Sequence, residues 1–314
     1  LRQLFAIMGM YPVGYYDLSQ AGVPVHSTAF RPIDDNALRR NPFRLFTSLL
    51  RLELIDDLAL RQQAAEILAA RDIFTARCRQ LVALHQQQGG FDQPQAAEFV
   101  EQALETFRWH QQTTVDSATY QALSDQHRLI ADVVCFPGCH INHLTPRTLD
   151  IDRVQTLMPQ NGITPKAIIE GPPRRAVPIL LRQTSFKALN EPVRFRDSHQ
   201  GTHTARFGEI EQRGVALTHK GRELYDRLLA QAGSGSENQQ HQHHLSEIFA
   251  AFPDDEASLR QQQLAWFEYR RTASGENLQI TPDSDIESLL AQGVLKADPI
   301  IYEDFLPVSA AGIF

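Results

Sequence analysis

The feature that most constrains this fold is an internal repeat. One helical stretch ends at Gly9-Met10-Tyr11-Pro12, and another ends at Gly162-Ile163-Thr164-Pro165, 153 positions later. Val23-Pro24 matches Val177-Pro178 at an offset of 154, and Ser27-Thr28-Ala29-Phe30-Arg31 resembles Gln183-Thr184-Ser185-Phe186-Lys187. Gly and Pro punctuate helix ends in any protein, so one such match carries little. Three in the same order, helix then strand then strand, point to a duplicated module. The second copy follows an apolar, β-leaning run, Ala131–Leu144, whereas the chain opens inside the helix of the first copy and has no initiator Met. The expectation is a fragment whose first module lacks its leading strand.

Four stretches follow from the change of hydrophobic period. Residues 1–41 are the remainder of the first module, with a helix over 1–11 and strands around Val13–Asp17 and Val23–Ile33. Residues 42–130 are rich in Leu, Ala, Gln and Glu. There Phe99, Val100, Ala103, Leu104 and Phe107 form one apolar face behind the cap Asp92 and the first-turn Pro94, which predicts an all-helical insertion. Residues 131–216 are the second module. Ala131–Leu144, Lys166–Glu170, Val177–Leu189 and Thr204–Gly214 read as strands and Ile151–Met158 as a helix, a β-α-β-β-β order. Residues 217–314 return to helices (Gly221–Leu229, Leu259–Tyr269), separated by the polar linker GSGSENQQHQHH and followed by the apolar tail PVSAAGIF. The fold class expected is α+β: paired β-α-β-β-β modules forming a cupped mixed sheet, with a large helical insertion and C-terminal helices.

Composition narrows the partners. A net charge of -7 over 314 residues argues against nucleic acid and against an anionic membrane surface. No apolar run approaches the ~18 residues of a membrane span. The opening LRQLFAIMGMY lacks the basic start and the cleavage site of a signal peptide. Three cysteines, Cys78, Cys135 and Cys139, suit a reducing cytoplasm better than a disulfide scaffold.

The densest group of metal-type side chains is Cys135, Cys139, His140 and His143. Pro137, Gly138 and Pro146 imply an extended backbone there, which turns His140 and His143 to opposite sides. With no second Cys/His pair at ligand spacing, a zinc site is disfavoured, and the cysteines read as small buried side chains. His143 shares a strand face with Ile141 and Thr145, where a lone histidine is most often satisfied by hydrogen bonds. The strand Arg206–Arg213 gives it a partner, because alternation puts Phe207, Glu209, Glu211 and Arg213 on one face. These carboxylates are either a solvated edge paired with Arg206 or Arg213, or the carboxylate half of a metal site, with Glu209 and Glu211 as competing ligands. In a β-α-β-β-β module the first and last strands enter one concave sheet, so His143 and Glu211 can meet at one metal. The repeat places a second histidine about ten positions before Leu1. Two histidines and one carboxylate with open positions suit non-haem Fe(II) oxygen chemistry. His26 reads as a packing or supporting residue, His203 as a turn residue, and His241, His243 and His244 as solvated linker. Asp116, Ser117 and His127 form no credible triad, and no nucleophile-elbow or phosphate-loop spacing occurs.

HINHLTPRTLDIDRV, PILLRQTSFKAL, HTARFGEIEQRG and YEDFLPVSAAGIF closely resemble the 2-oxoadipate dioxygenase/decarboxylase family, and the likeness extends over essentially the whole chain. The resemblance implies a fold related to the vicinal oxygen chelate proteins, with Fe(II) as cofactor and a small 2-oxo acid and O2 as partners. The implied reaction converts 2-oxoadipate to D-2-hydroxyglutarate and CO2 in lysine breakdown. It assigns His143, in INHLT, and Glu211, in GEIEQRG, to the metal, and gives His143, Val308 and Ser309 substrate contacts. The second histidine and an arginine for the distal carboxylate belong to an HGAIR-like strand expected upstream of Leu1, so this stretch alone is expected to bind metal poorly and be inactive. Two other readings compete: a glyoxalase-like or ring-opening enzyme using another metal, and a metal-free binding protein on the same fold.

Overall fold

The computed structural model describes the chain apart from residues 20–21, 140, 187–189, 205–207, 234–236, 276–280, 282–283 and 305–314, and apart from the side chains of 141–144. It divides into two compact units. The first runs from Leu1 to Pro146 and takes in the later segment up to Glu209. The second comprises Arg147–Phe186 and Ile210–Asp304.

The first unit opens with α1 (Arg2–Ile7), β1 (Tyr11–Asp17), β2 (Val25–Arg31), α2 (Asp35–Arg40) and β3 (Arg44–Leu50). Helices α3 (Leu58–Ala70), α4 (Ala76–Gln88), α5 (Gln93–Phe107), α6 (Ser117–Gln126) and α7 (Arg128–Val134) follow, then β4 (Ile141–Thr145). The strands form one antiparallel sheet in the order β1-β2-β3-β4. Asp57, Thr75, Asp92 and Asp116 start four of the helices by accepting backbone N–H groups that have no intrahelical partner, and Asp92 with Gln95 completes a capping box. Phe5 packs between Phe30 and Phe107, at 4.8 and 5.8 Å between ring centroids, and so joins α1, the sheet and α5.

Two expectations for this region are corrected. The stretch 42–130 is not all helical, because β3 lies inside it, and the helices run on to Val134 rather than ending before Ala131. Leu45, Leu49 and Leu50 made RLFTSLL look helical. Five consecutive residues of β3 are buried, so no polar alternation marks it as a strand.

The second unit begins with α8 (Ile151–Gln160) and β5 (Leu181–Ser185). After the hairpin β6 (Asn190–Arg194) and β7 (Gln200–Thr204), which belongs to the first unit, the chain enters β8 (Glu209–Arg213), the partner of β5. Helices α9 (His219–Ala232), α10 (Asn238–Phe249) and α11 (Glu256–Gln261) precede β9 (Phe267–Arg271), α12 (Ile286–Ala291) and β10 (Leu295–Pro299). Tyr225, Leu228, Leu245, Phe249, Phe252, Leu259 and Leu264 make its core. The expected linker is thus largely the helix α10, capped by the Glu237 carboxylate and buried through Leu245 and Phe249. The segment expected to be helical to Tyr269 breaks at Gln263, where φ is 57°, and continues as β9. Among the described residues no helix is long and apolar enough to cross a membrane.

The two helix ends matched in the sequence share their local geometry. Gly9 and Gly162 both sit in the left-handed region, at φ 74° and 75°, where a side chain is costly. Each helix end closes in the same way: Met10 N–H donates to Phe5 O at 2.9 Å and Ile163 N–H to Met158 O at 3.0 Å. Pro12 pairs antiparallel with Phe30, and Pro165 pairs antiparallel with Phe186.

Close backbone approach fixes the exit from β8. A Cβ on Gly214 would lie 2.2 Å from the carbonyl carbon of Pro178 and 2.4 Å from the amide nitrogen of Ile179. Backbone cannot yield as a side chain does, so Gly214→Ala is expected to destabilise the second unit by about 4 kcal/mol. Chemical denaturation checks this, and a loss within 1 kcal/mol (roughly the spread of ordinary substitutions) would contradict it.

Candidate active site

The sequence singles out β8, and its alternation is as expected: Glu209, Glu211 and Arg213 are buried, while Ile210 and Gln212 are half-buried. A buried carboxylate is costly unless it is paired. Glu211 is paired through both oxygens. Arg213 Nε–H donates to Oε1 at 2.8 Å and Nη2–H to Oε2 at 2.7 Å, a fork-on-carboxylate contact between residues two apart on one strand face. The backbone of Glu211 is held too, since its carbonyl accepts the Thr148 N–H at 2.8 Å and Arg147 bridges it in parallel.

The same arginine reaches further. Its Nη1–H groups donate to the carbonyl of Tyr302, at 3.0 Å, and to that of Asp304, and the guanidinium lies 5.6 Å from the Tyr302 ring. Arg147 Nη2 grips both carboxylate oxygens of Glu303, at 2.8 and 2.9 Å. On the opposite face of β8, the Gln212 amide accepts the Ile151 N–H and donates to Leu149 O, which ties the strand to the start of α8.

His143 lies on β4, which hydrogen-bonds along one edge to β3, a strand inside the stretch expected to be helical, while β8 pairs with β5. Two residues past the end of β4, Arg147 bridges Glu211 in parallel. The backbone at His143 is irregular: Leu144 pairs with Leu45 and Asn142 with Phe46, so His143 is the extra residue of a bulge. Bulges re-aim a side chain and are frequent beside active sites. Val308 and Ser309, with Arg206, Phe207 and His140, lie outside the described residues.

Other candidates resolve differently. His203 is not a turn residue. It sits on β7, 2 % exposed, with Nδ1 2.9 Å from the Tyr120 hydroxyl and Nε2 3.1 Å from Asp132, and it packs against Phe136 and Trp109. Sequence reasoning missed this network because its members come from α6, α7 and β7; the only signal was a histidine at an alternation-inward position. His26 is on β2 against Tyr15, and His241, His243 and His244 are on α10. Asp116 and His127 are helix caps. Burial, followed by the nearby Asp132 charge, pushes the Cys135 thiol up to about 12, so it remains a thiol.

A family model described as 2-oxoadipate dioxygenase/decarboxylase matches residues 1–314. The chain belongs to the 2-oxoadipate dioxygenase/decarboxylase family. It is 71% identical over 316 residues to the family member of Escherichia coli K12, covering 100% of this chain and 71% of that protein. It is 57% identical to that of Pseudomonas putida, with 100% and 70% covered. Among solved structures, the uncharacterized protein YdcJ of Shigella flexneri matches with a TM-score of 0.83 at 71% identity, covering 98% of this chain and 73% of that one. Hydroxyglutarate synthase from Pseudomonas putida in complex with 2-oxoadipate matches at 0.81 and 55%, covering 100% and 72%. A Ralstonia eutropha protein assigned to the glyoxalase superfamily shares the fold at 0.52 and 17% identity, over 68% of this chain and 64% of that one.

Proposed function

We propose that this chain is an enzyme that oxidatively decarboxylates 2-oxoadipate, a 2-oxoadipate dioxygenase/decarboxylase whose product is D-2-hydroxyglutarate. The observation that carries the reading is the family match over the whole chain, together with a relative of 55% identity that holds 2-oxoadipate. The reaction balances: one O2 enters and C1 leaves as CO2, one oxygen atom completes the new carboxylate at the former keto carbon, and the other becomes the hydroxyl of the shortened acid. A place in lysine breakdown suits that substrate. A reducing cytoplasm suits the three free cysteines.

The architecture proposed is a pair of β-α-β-β-β modules of the vicinal-oxygen-chelate kind. It rests on the repeated helix end, the repeated Pro–Phe pairing and the distant glyoxalase-superfamily likeness. In chain order α1-β1-β2-β3 corresponds to α8, the 165–170 segment, β5 and β8. On this correspondence β4 leads into the second module while its hydrogen bonds complete the first sheet.

The residues present fit Fe(II). Imidazole and carboxylate are its usual protein donors. A carboxylate has about four lone-pair sites, and at Glu211 the fork of Arg213 addresses one on each oxygen. Glu211 and His143 would hold the metal, and Val308 and Ser309 would contact the substrate, with His143 touching both. Bound Fe(II) would supply open positions for a chelating 2-oxo acid and for O2. The protein's own part is to hold Glu211 rigidly on a buried strand face and to keep water off that face.

With Fe(II) and 2-oxoadipate, the whole protein is expected to consume O2 and release CO2 in a one-to-one ratio, as the balance of the reaction requires. Oxygen-electrode and product assays across a series of 2-oxo acids check this. Metal binding with no O2 uptake on any 2-oxo acid would favour the glyoxalase-like alternative and overturn this one.

A further inference from the structure

We infer that Arg213 is the positioning residue of the site, with one guanidinium that both orients the Glu211 carboxylate and pins the chain at Tyr302–Asp304 onto β8. The inference rests on the proposed role of Glu211 as a metal ligand. The geometry is specific. Arg213 is 2 % exposed at its side chain, and its Nε and Nη2 address the two oxygens of Glu211 while Nη1 addresses two backbone carbonyls. A carboxylate on a short strand can otherwise rotate, and a bidentate fork removes that freedom. Groups that hold a ligand in this way typically set about 10–100-fold of metal affinity.

The second half of the contact adds what an ordinary ligand-orienting pair does not. Tyr302 N–H donates to Gly214 O at 2.9 Å, Ile301 bridges Val215, and Arg147 holds Glu303, so the segment 301–304 is laid along the end of β8. Val308 and Ser309 follow only four and five residues after Asp304 in the sequence. A substitution at Arg213 therefore disturbs both the carboxylate and the hold on segment 301–304, which precedes in sequence the residues proposed to contact the substrate. Metal affinity and KM for substrate should move together, which a purely structural arginine would not produce.

The test uses Arg213→Lys and Arg213→Met in the whole protein, with Glu211→Gln as reference. Lysine keeps the charge but, as a single ammonium, cannot serve both carboxylate oxygens and both carbonyls. Binding of Mn(II) is followed by the loss of the free-ion electron paramagnetic resonance signal, and KM for 2-oxoadipate is measured at saturating Fe(II). Melting curves show which variants are folded, and Arg213→Lys serves if Arg213→Met does not fold. Arg213→Lys is expected to weaken Mn(II) binding by about 10-fold and to raise KM by a similar factor even when metal is saturating. If Glu211→Gln weakens Mn(II) binding while the folded Arg213 variant leaves both quantities unchanged, the positioning role is wrong and the site reading stands. If Glu211→Gln itself leaves Mn(II) binding unchanged, the site reading fails and the inference fails with it.

Discussion

Glu211→Gln is expected to weaken divalent-metal binding by more than about 100-fold and to abolish turnover, with Glu209→Gln as the control on the same strand face. Loss of a group that merely supports a ligand typically costs about 10–100-fold in affinity, so loss of the ligand costs more. Glutamine keeps the volume and one carbonyl acceptor, but it removes the negative charge that a hard divalent cation needs and that Arg213 faces at 2.7 and 2.8 Å. Breaking a buried ion pair also costs stability, about 3–5 kcal/mol at its worst, so affinity must be read on protein shown by its melting curve to be folded. Glu209 is equally buried and lies two residues earlier on the same face, whereas the bidentate contact of Arg213 is made to Glu211. Glu209→Gln is expected to change affinity by less than about 3-fold, or about 0.7 kcal/mol. The reverse pattern would assign the carboxylate ligand to Glu209. His143→Ala belongs in the same series and should resemble Glu211→Gln.

Much of this site was legible because β8 is simple. A strand of period two, flanked by glycines, declares its own faces, and the placing of Glu209, Glu211 and Arg213 on one face follows from the spacing alone, whereas the burial of that face comes from packing. Helix ends were legible for the same reason: Asp92 with Gln95, and Gly9 and Gly162, act on neighbours a few residues away. What was not legible was partnership between distant segments. Nothing in INHLT says that its hydrogen bonds go to Arg44–Leu50, a leucine-rich stretch that reads as helix. The same holds for α10. Glutamine and histidine made it look like linker, and only the packing of Leu245 and Phe249 against α9 and its neighbours makes a helix of it. The His203 network and the grip of Arg213 on Tyr302 and Asp304 likewise join residues 71 to 91 positions apart.

Arg182 and Asp152 give the second large effect, and it concerns stability rather than chemistry. Arg182, on β5, is 4 % exposed at its side chain; Nη1 and Nη2 donate to the two oxygens of Asp152 on α8 at 2.7 and 2.8 Å, Nε–H donates to Pro172 O, and Nη2 also reaches Gln242. This single cation joins helix, strand and α10, and its counter-charge is Asp152. Asp152→Ala leaves the guanidinium buried with that charge gone, and is expected to destabilise the protein by about 3 kcal/mol, the low end of the range for a broken buried pair because Asp152 is 29 % exposed. In a unit of this size that corresponds to a fall of roughly 6–12 °C in Tm. Burial alone would raise the Asp152 pKa, but the hydrogen bond and charge of Arg182 outweigh it and hold the carboxyl below its ordinary value. The sign of the pH dependence follows. The pair contributes fully above the unfolded-state pKa of about 3.9, and its contribution is lost as pH falls through the lower folded-state pKa. The stability gap between the unmodified protein and Asp152→Asn should therefore be constant from neutrality down to about pH 5 and close below about pH 4. Urea denaturation across that range decides the matter, because a gap that widens on acidification would mean that the Asp152 carboxyl is protonated more readily in the folded protein than in the unfolded chain.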